Sequence, residues 1–341
     1  MTSEPFVLDG FDPIKLLGSG GFGDVWLARQ TNIDRKVAIK VGHSPIEDPD
    51  VQLRFERECI ALGRLSGHPN IIEVFTAGRL DDGRPYLVLE YVNGGTLWRR
   101  LKQERLDETQ LIRLARELAD ALSVAHTAGV LHRDIKPENV FLRANGQAVI
   151  GDFGLARLHD GANTSTHGIT ASVAYAPPEI LTGSPSSTAS DLYGIGICVL
   201  SAAIGTVPFV NAEDSSVHPI ITRVLNDKPV DLRTLGFSDP FVSVIDDLLE
   251  KDPERRPLSA EVVKQRLDAL NQPVAPITVT ERAVTTTDSI AAALSQTYGP
   301  LSAQSIGAPQ LSRWDRIRLI GAAISAIVLF GSIVGFVISR L

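Results

Sequence analysis

Residues His132–Asn139 read HRDIKPEN, and GDFG follows at Gly151–Gly154; together they are the most informative part of this chain. The first stretch places a carboxylate, a lysine and an asparagine in one short loop, and the second adds another carboxylate. Phosphoryl transfer uses a carboxylate to orient the attacking hydroxyl, cations to neutralise phosphate charge, and oxygen ligands for a metal ion. The two stretches therefore indicate a site for phosphoryl transfer.

A glycine-rich segment, LGSGGFGDV, lies upstream at Leu17–Val25. It fits the pattern Gly-x-Gly-x-x-Gly-x-Val, in which residues without side chains let backbone amides approach phosphate groups closely. The alternatives are an ordinary glycine-rich hairpin and a dinucleotide-binding turn, and the second requires a helix directly after the glycines. Val25–Ala28 and Val37–Lys40 instead have the composition of strands, which argues against the dinucleotide-binding turn and leaves both kinds of hairpin open.

The composition limits the class of protein. The chain has 341 residues, of which 44% are hydrophobic and 21% charged, so it can bury a large core and is not disordered throughout. Its net charge of −7 argues against a nucleic-acid partner. Cys59 and Cys198 are far apart in the sequence and form no Cys-x-x-Cys motif, so the sequence predicts neither a disulfide framework nor a zinc site. Met1–Pro5 lacks the features of a signal peptide, so we expect no secretion.

Two kinds of pattern follow one another along residues 11–270 and predict an α+β domain. Val37–Val41 and Tyr86–Tyr91 are short, rich in β-branched or aromatic residues, and typical of strands. From Glu108 to Gly129, apolar residues recur at helical spacing and the run ends at a glycine, as a helix commonly does. The sequence therefore predicts a small sheet-rich part followed by a helical part.

In order and spacing, these segments resemble the eukaryotic-type serine/threonine protein kinase family, and the chain is most similar to its bacterial membrane-associated members. The resemblance implies a bilobal kinase fold: a small β-rich N-lobe at about 11–89, a hinge at about 90–93 and a large helical C-lobe at about 94–270. The downstream residues that contribute to the resemblance are Glu179, Asp191, Gly196 and Arg256.

The resemblance also implies ATP and Mg²⁺ as cofactors, with Mn²⁺ as an alternative metal. It implies that Asp134 orients and deprotonates the substrate hydroxyl, that Lys136 supports the γ-phosphate, and that Asn139 and Asp152 bind the metal. The nucleotide-binding residues that it implies are Leu17, Gly18, Ser19, Gly20, Gly21, Phe22, Gly23, Val25, Lys40, Glu90 and Val92.

In this family pattern Lys40 pairs with the α- and β-phosphates, and a carboxylate holds its long side chain in place. Glu58 is the best candidate, because it lies on the same predicted helix face as three apolar residues. These are Phe55, Leu62 and Leu65. The alternative is that Glu58 is an ordinary surface carboxylate.

The segment between Gly154 and Glu179 is rich in hydroxyl groups, and we predict autophosphorylation there. The candidate phosphosites are Thr164, Thr166 and Thr170. A phosphate in this segment could pair with Arg133 and order the loop, although a loop that is merely rich in hydroxyls is the alternative. The family's Ala-Pro-Glu reads Pro177-Pro178-Glu179, and a threonine nearby is replaced by Ser172. Glu179 is retained and is expected to pair with Arg256.

A predicted flexible linker rich in Pro, Thr, Ser and Ala covers residues 271–312. Leu319–Ile338 then contains no charged residue and would span about 30 Å as a helix, which predicts a transmembrane helix at 317–339. The alternative is a buried amphipathic helix. Three arginines precede the run and only Arg340 follows it, so we expect a single-pass, C-terminally anchored protein in the cell membrane with a cytoplasmic kinase domain.

The apolar run carries Gly331 and Gly335 at a spacing that brings membrane helices together, so a homodimer is a further expectation. Glycine is common in membrane helices without any such role, and that alternative stays open.

The predicted function is therefore transfer of the ATP γ-phosphate to serine or threonine in protein substrates, at a lipid bilayer, because Lys136 follows Asp134 as in the serine/threonine branch. A pseudokinase scaffold at the membrane is disfavoured, since every residue implied for catalysis is present. A small-molecule phosphotransferase is a third reading, and Glu179 and Arg256 favour protein substrates over it.

Overall fold

The computed structural model describes residues 5–20, 23–153 and 172–270. Strands dominate the first part of the described chain and helices the second. This arrangement confirms the predicted bilobal α+β fold in the described residues.

The N-lobe is built on one antiparallel sheet whose five strands lie in the order β1-β2-β3-β5-β4. Both faces of β3 are covered, and its residues Val37–Gly42 are all buried, which suits the β-branched composition of this strand. Its pairing with β2 places Val25 opposite Lys40. The strands are β1 (Phe11–Ser19), β2 (Gly23–Gln30), β3 (Arg35–Gly42), β4 (Val74–Arg79) and β5 (Pro85–Glu90).

The core of the N-lobe extends to residues before β1. The Phe6 side chain is only 3% exposed and packs edge-on against Trp26, with 6.3 Å between the ring centroids. Phe6 therefore closes one face of the sheet, although it precedes the predicted start of the domain at Phe11. A single aromatic residue has no periodicity, so the sequence pattern carried no signal for this contact.

Helix α1 (Pro49–Leu65) covers the other face of the sheet. It begins where the Asp48 carboxylate accepts a hydrogen bond from the backbone N–H of Asp50 at 2.7 Å, which caps the helix. Glu58 is half-buried on this helix, whereas Glu56 is exposed. The buried residues of α1 are Phe55, Leu62 and Leu65, so the predicted inward stripe is confirmed.

The C-lobe packs around α3 and α5. Helix α3 begins at a capping box formed by Asp107 and Gln110 and ends just before Gly129, whose φ of 75° only glycine adopts at little cost. The predicted helix is thereby confirmed. Helix α5 is buried over almost its whole length and forms the centre of the lobe. The helices are α2 (Leu97–Leu101), α3 (Glu108–Thr127), α4 (Pro178–Leu181), α5 (Thr188–Ile204), α6 (His218–Asn226), α7 (Asp239–Leu248) and α8 (Ala260–Asp268), with 3₁₀ turns at Leu232–Leu235 and Pro253–Arg255.

A two-stranded sheet of β6 (Val140–Leu142) and β7 (Ala148–Ile150) connects the lobes. Ile150 accepts a hydrogen bond from the N–H of Ile72 and donates its own N–H to Asn70, at 2.9 and 2.8 Å. Residues 132–139 precede β6, and residues 151–153 follow β7. Residues 132–139 and residues 151–153 therefore both lie at the junction of the lobes.

No helix within the described ranges is long and apolar enough to cross a bilayer. The predicted linker and the predicted transmembrane helix, residues 271–339, lie outside the described residues. Both stay predictions.

Candidate active site

His132 is the first residue of the catalytic loop, His132–Asn139, and it has no exposed surface. Its Nδ1 accepts a hydrogen bond from the backbone N–H of Asp134 at 3.2 Å, and its Nε2 lies 2.8 Å from the carbonyl oxygen of Gly151. The ring is therefore neutral with its proton on Nε2. Burial lowers the pKa of His132, against the opposing effect of Asp191, and supports the same assignment. His132 thus joins the catalytic loop to the segment before Asp152.

Asp191 of α5 fixes the backbone of this loop. Its carboxylate, 1% exposed, accepts hydrogen bonds from the backbone N–H of His132 and of Arg133, at 2.9 and 2.7 Å. It also lies 2.8 Å from the His126 ring nitrogen. Arg133 has a φ of 70°, a conformation that costs a residue with a side chain about 1–3 kcal/mol. The buried carboxylate offsets that cost.

Asp134 projects from this fixed loop with its carboxylate held on two sides. Asn139 Nδ2 donates to Asp134 Oδ2 at 2.9 Å, and Lys136 Nζ lies 2.8 Å from the same oxygen. The side chain of Asp134 nevertheless remains 41% exposed. The loop therefore presents an oriented carboxylate to incoming molecules.

Asp152 and Lys40 come from opposite lobes and form an ion pair, with Lys40 Nζ 2.7 Å from Asp152 Oδ1. Burial by itself would raise the pKa of Asp152, but the charge and hydrogen bond of Lys40 outweigh it, so the pKa falls below its ordinary value. Asp152 has a φ of 60°, and the following Phe153 is buried with its ring centroid 4.5 Å from that of His132. The structure thus brings together Lys40, Asp134, Lys136, Asn139 and Asp152 at the lobe junction.

Glu58 lies near the same junction, where its Oε1 is 3.8 Å from Arg133 Nη1. This contact joins α1 to the catalytic loop. The predicted pairing of Glu58 with Lys40 stays a prediction.

A cleft of about 200 Å³ opens beside these charged groups, between the sheet of the N-lobe and β6. Six of the residues predicted for the nucleotide or the metal line it: Leu17, Gly18, Val25, Glu90, Val92 and Asp152. Leu89, Tyr91, Ala38, Ile72 and Phe141 complete the lining. Most of this surface is apolar, which suits a flat aromatic base.

The described residues of the glycine segment lie close together at the ends of β1 and β2, next to Gly18 in the lining of the cleft. The N–H of Gly20 donates to the carbonyl of Gly23 at 3.0 Å, and a Cβ on Gly23 would lie 2.0 Å from the carbonyl oxygen of Val41. No side chain fits at Gly23. Ser19 is the last residue of β1, and the predicted residues Gly21 and Phe22 lie outside the described residues.

Glu179 and Arg256 form a buried bidentate ion pair, as predicted. Both Arg256 Nη atoms lie 2.7 Å from carboxylate oxygens of Glu179, and the Arg256 side chain has no exposed surface. Burial would raise the pKa of Glu179, but the hydrogen bonds from Arg256 lower it below its ordinary value. The pair ties the start of α4 to the loop after α7. The candidate phosphosites Thr164, Thr166 and Thr170 lie outside the described residues.

The sequence profile of the protein kinase domain matches residues 11–267 of this chain. The chain belongs to the eukaryotic-type serine/threonine protein kinase family.

Curated relatives of this kinase domain come from several bacteria. Serine/threonine-protein kinase PknK of Mycobacterium tuberculosis (strain ATCC 25618 / H37Rv) is 35% identical over 259 residues, covering 76% of this chain and 23% of the relative. Serine/threonine-protein kinase pkn3 of Myxococcus xanthus is 35% identical over 271 residues, covering 75% and 49%. Serine/threonine-protein kinase PknB of Mycobacterium leprae (strain TN) is 32% identical over 292 residues, covering 82% and 46%. The matched part is less than half of each of these relatives.

Kinases of this family use ATP and a divalent metal ion, and the residues of the cleft fit both. The apolar lining suits the base, and a Cβ at Gly18 or Gly20 would meet no heavy atom within 4 Å, so the space beside these two glycines is open. In the described part of the chain, no three His, Cys, Asp or Glu side chains form a protein-only metal cage. A pair such as Asn139 and Asp152 is what a metal needs when phosphate oxygens complete its coordination.

Sequence reasoning missed several residues of the kinase cleft. Ala38 lies on β3, two residues before the predicted site residue Lys40. Phe141 lies on β6, two residues after the predicted site residue Asn139, which directly precedes that strand. Because side chains two residues apart share a strand face, this spacing was a usable signal. Ile72 lies in the connection before β4 and reaches the cleft through tertiary packing alone.

Proposed function

We propose that this chain transfers the γ-phosphate of ATP to serine and threonine hydroxyls of protein substrates. The observation that carries the proposal is the environment of Asp134, an exposed carboxylate that Lys136 and Asn139 hold at 2.8 and 2.9 Å. A group held in this way can accept a hydrogen bond from an incoming hydroxyl and take its proton as the new bond forms.

The residues around Asp134 then have distinct tasks. Lys136 places a positive charge beside Asp134, where it can stabilise the transferred phosphoryl oxygens. Lys40 places a second charge at the other end of the site, next to Asp152. Asn139 and Asp152 would hold Mg²⁺, which neutralises phosphate charge when bound. Because the transition state is loose and highly charged, fixed cations stabilise it more than covalent catalysis would.

Two observations favour an active protein kinase over the other readings. A pseudokinase commonly lacks one of the charged groups, whereas here Lys40, Asp134, Asn139 and Asp152 are all present and close to the cleft. The buried Glu179–Arg256 pair fixes the segment that follows the candidate phosphosites, and this supports a platform for protein substrates. The relatives' names, all serine/threonine-protein kinases, support the choice of acceptor.

Incubation of the purified chain with Mg-ATP and a general protein substrate tests the proposal. We expect phosphoserine and phosphothreonine on the substrate, no phosphotyrosine, and phosphate on the chain itself between Thr164 and Ser172. Nucleotide binding without any transfer would favour the pseudokinase, and transfer confined to small molecules would favour the third reading. Mass spectrometry that finds the substrate modified but residues 164–172 bare would contradict autophosphorylation alone.

The proposal includes a membrane tether formed by Leu319–Ile338 and a cytoplasmic kinase domain. Its support is the sequence: an uncharged run of sufficient length, with arginines concentrated on its N-terminal side. A homodimer through Gly331 and Gly335 and access to substrates at the bilayer surface belong to the same proposal.

Membrane extraction tests the tether. We expect the full chain to remain with membranes after an alkaline wash, and a chain that ends at Leu270 to appear in the supernatant. The matched variant is the full chain with Ile327→Arg and Val334→Arg. We expect it to be retained less than the unchanged full chain, since each charge costs about 2.5–3.5 kcal/mol at the centre of a span. Equal retention of the charged variant, or release of the full chain, would contradict a spanning helix.

A further inference from the structure

An ion pair joins the two lobes at the back of the nucleotide cleft. Arg143 directs both Nη atoms at the carboxylate of Glu90: Nη1 contacts Oε1, and Nη2 lies 3.0 Å from Oε2. The two side chains are 31% and 19% exposed, so the pair is partly shielded from solvent. A bidentate pair of this kind fixes orientation as well as distance.

The partners come from segments that contact the nucleotide site directly. Glu90 ends β5 and lines the cleft. Arg143 follows β6, in which Val140 and Leu142 point into the core whereas Phe141 lines the cleft. Because residues two apart share a strand face, Arg143 continues the face that Phe141 begins. One short segment after Asn139 therefore supplies both a wall of the cleft and an anchor for the hinge.

The backbone beyond Glu90 is packed tightly on β6. The N–H of Leu142 donates to the carbonyl of Gly95 at 2.9 Å, and a Cβ on Gly94 would lie 2.2 Å from the carbonyl oxygen of Leu142. On the N-lobe side, the N–H of Glu90 donates to the carbonyl of Glu73 at 2.9 Å. The hinge, residues 90–93, lies between these two attachments. Arg143 holds the side chain of Glu90, the first hinge residue.

We propose that Arg143 is a positioning residue for the nucleotide: by holding Glu90 it sets the hinge backbone against Phe141 and keeps the cleft ready for the adenine base. The inference rests on the proposed kinase activity. Without Arg143, the hinge would have to be ordered each time the nucleotide binds. Because that ordering costs free energy, the nucleotide would bind more weakly. Steps that follow binding depend on Asp134 and its neighbours, and they are not affected.

The test is Arg143→Met, which keeps most of the side-chain volume and removes the charge. We expect the KM for ATP and the Kd for a non-hydrolysable ATP analogue to rise by about fivefold, the size of effect that an ion pair of about 1 kcal/mol gives. We expect kcat and the KM for the protein substrate to stay within about twofold of wild type. Arg143→Lys, which can form one contact of the two, should fall between.

Two further variants separate positioning from general stability. Arg29→Met removes an exposed partner of Asp34 in the same sheet, at 2.5 Å, and should leave the Kd for the analogue unchanged. Glu90→Gln alone and Arg143→Met alone each break the same ion pair. The double variant should therefore have a Kd for the analogue no higher than that of the single variant with the higher Kd. Additive losses in the double variant would overturn the proposal.

An unchanged Kd for the analogue in Arg143→Met would overturn the positioning role of Arg143. This holds even where kcat and the melting temperature fall, because those losses would then reflect general stability. The binding measurement needs no turnover. A wild-type chain that binds the analogue but transfers no phosphate therefore rejects the proposed activity alone, and the comparison of Kd values still decides the role of Arg143. A wild-type chain that binds no nucleotide rejects both.

Discussion

Replacing Asp134 with Asn is expected to lower kcat by about 10²–10⁴-fold, the usual contribution of a positioned general base. The amide has nearly the same shape and can still accept the hydrogen bond from Asn139, so the catalytic loop should keep its form. It cannot take a proton from the substrate hydroxyl, and it no longer balances the charge of Lys136 at 2.8 Å. Initial rates with a saturating protein substrate measure the effect.

Nucleotide affinity should stay within about twofold of wild type in this variant, because Asp134 does not line the cleft. The matched control is Asp246→Asn on α7, which weakens an exposed contact with Arg233 and should leave kcat unchanged. Phosphotransfer that survives Asp134→Asn would exclude Asp134 as the base. A large loss of nucleotide binding would show instead that the substitution disturbs the loop.

Replacing Arg256 with Met is expected to destabilise the fold by about 3–5 kcal/mol, because a buried carboxylate loses its charge partner. The hydrogen bond from Ser190 to Glu179, at 2.9 Å, carries no positive charge and cannot replace the arginine. The carbonyls of Glu250 and Ala189 would also lose their donor, Arg256. Denaturant unfolding followed by fluorescence measures the change in the free energy of unfolding.

The neighbouring residue provides the control. Arg255 is exposed and lies 3.9 Å from Asp252, so Arg255→Met should cost less than about 1 kcal/mol. Adding Glu179→Gln to Arg256→Met should recover part of the loss, since the uncompensated charge is then gone. Equal stability of the Arg255 and Arg256 variants would contradict the structural importance of the buried pair.

Local patterns in the sequence predicted the fold well. The inward stripe of α1 and the ends of α3 follow from residue spacing and capping, and both depend on neighbours in the chain. The Glu179–Arg256 pair was predictable only because the family resemblance supplied the two positions. Phe6 could not be predicted, because its burial depends on a contact with Trp26 of β2 and on no repeating pattern.

Within the candidate site, residue identities were easier to predict than contacts. The resemblance placed Lys40 and Asp152 in separate roles, whereas the structure pairs them across the lobes at 2.7 Å. The contact of Arg133 with Glu58 also joins residues far apart in sequence. Such pairings follow from the positions of whole lobes, which single-sequence patterns do not encode. Arg143 was missed for the same reason.

The attachment of the catalytic loop to Asp191 limits what protein engineering can do with it. The loop's shape depends on a carboxylate from the most buried helix of the C-lobe, which accepts two of its backbone N–H groups. Residues 132–139 therefore cannot be transferred to another protein without their buried acceptor. Grafted onto a scaffold without an equivalent buried acceptor, the same eight residues would lose the left-handed turn at Arg133, and with it the orientation in which Lys136 and Asn139 hold the carboxylate of Asp134.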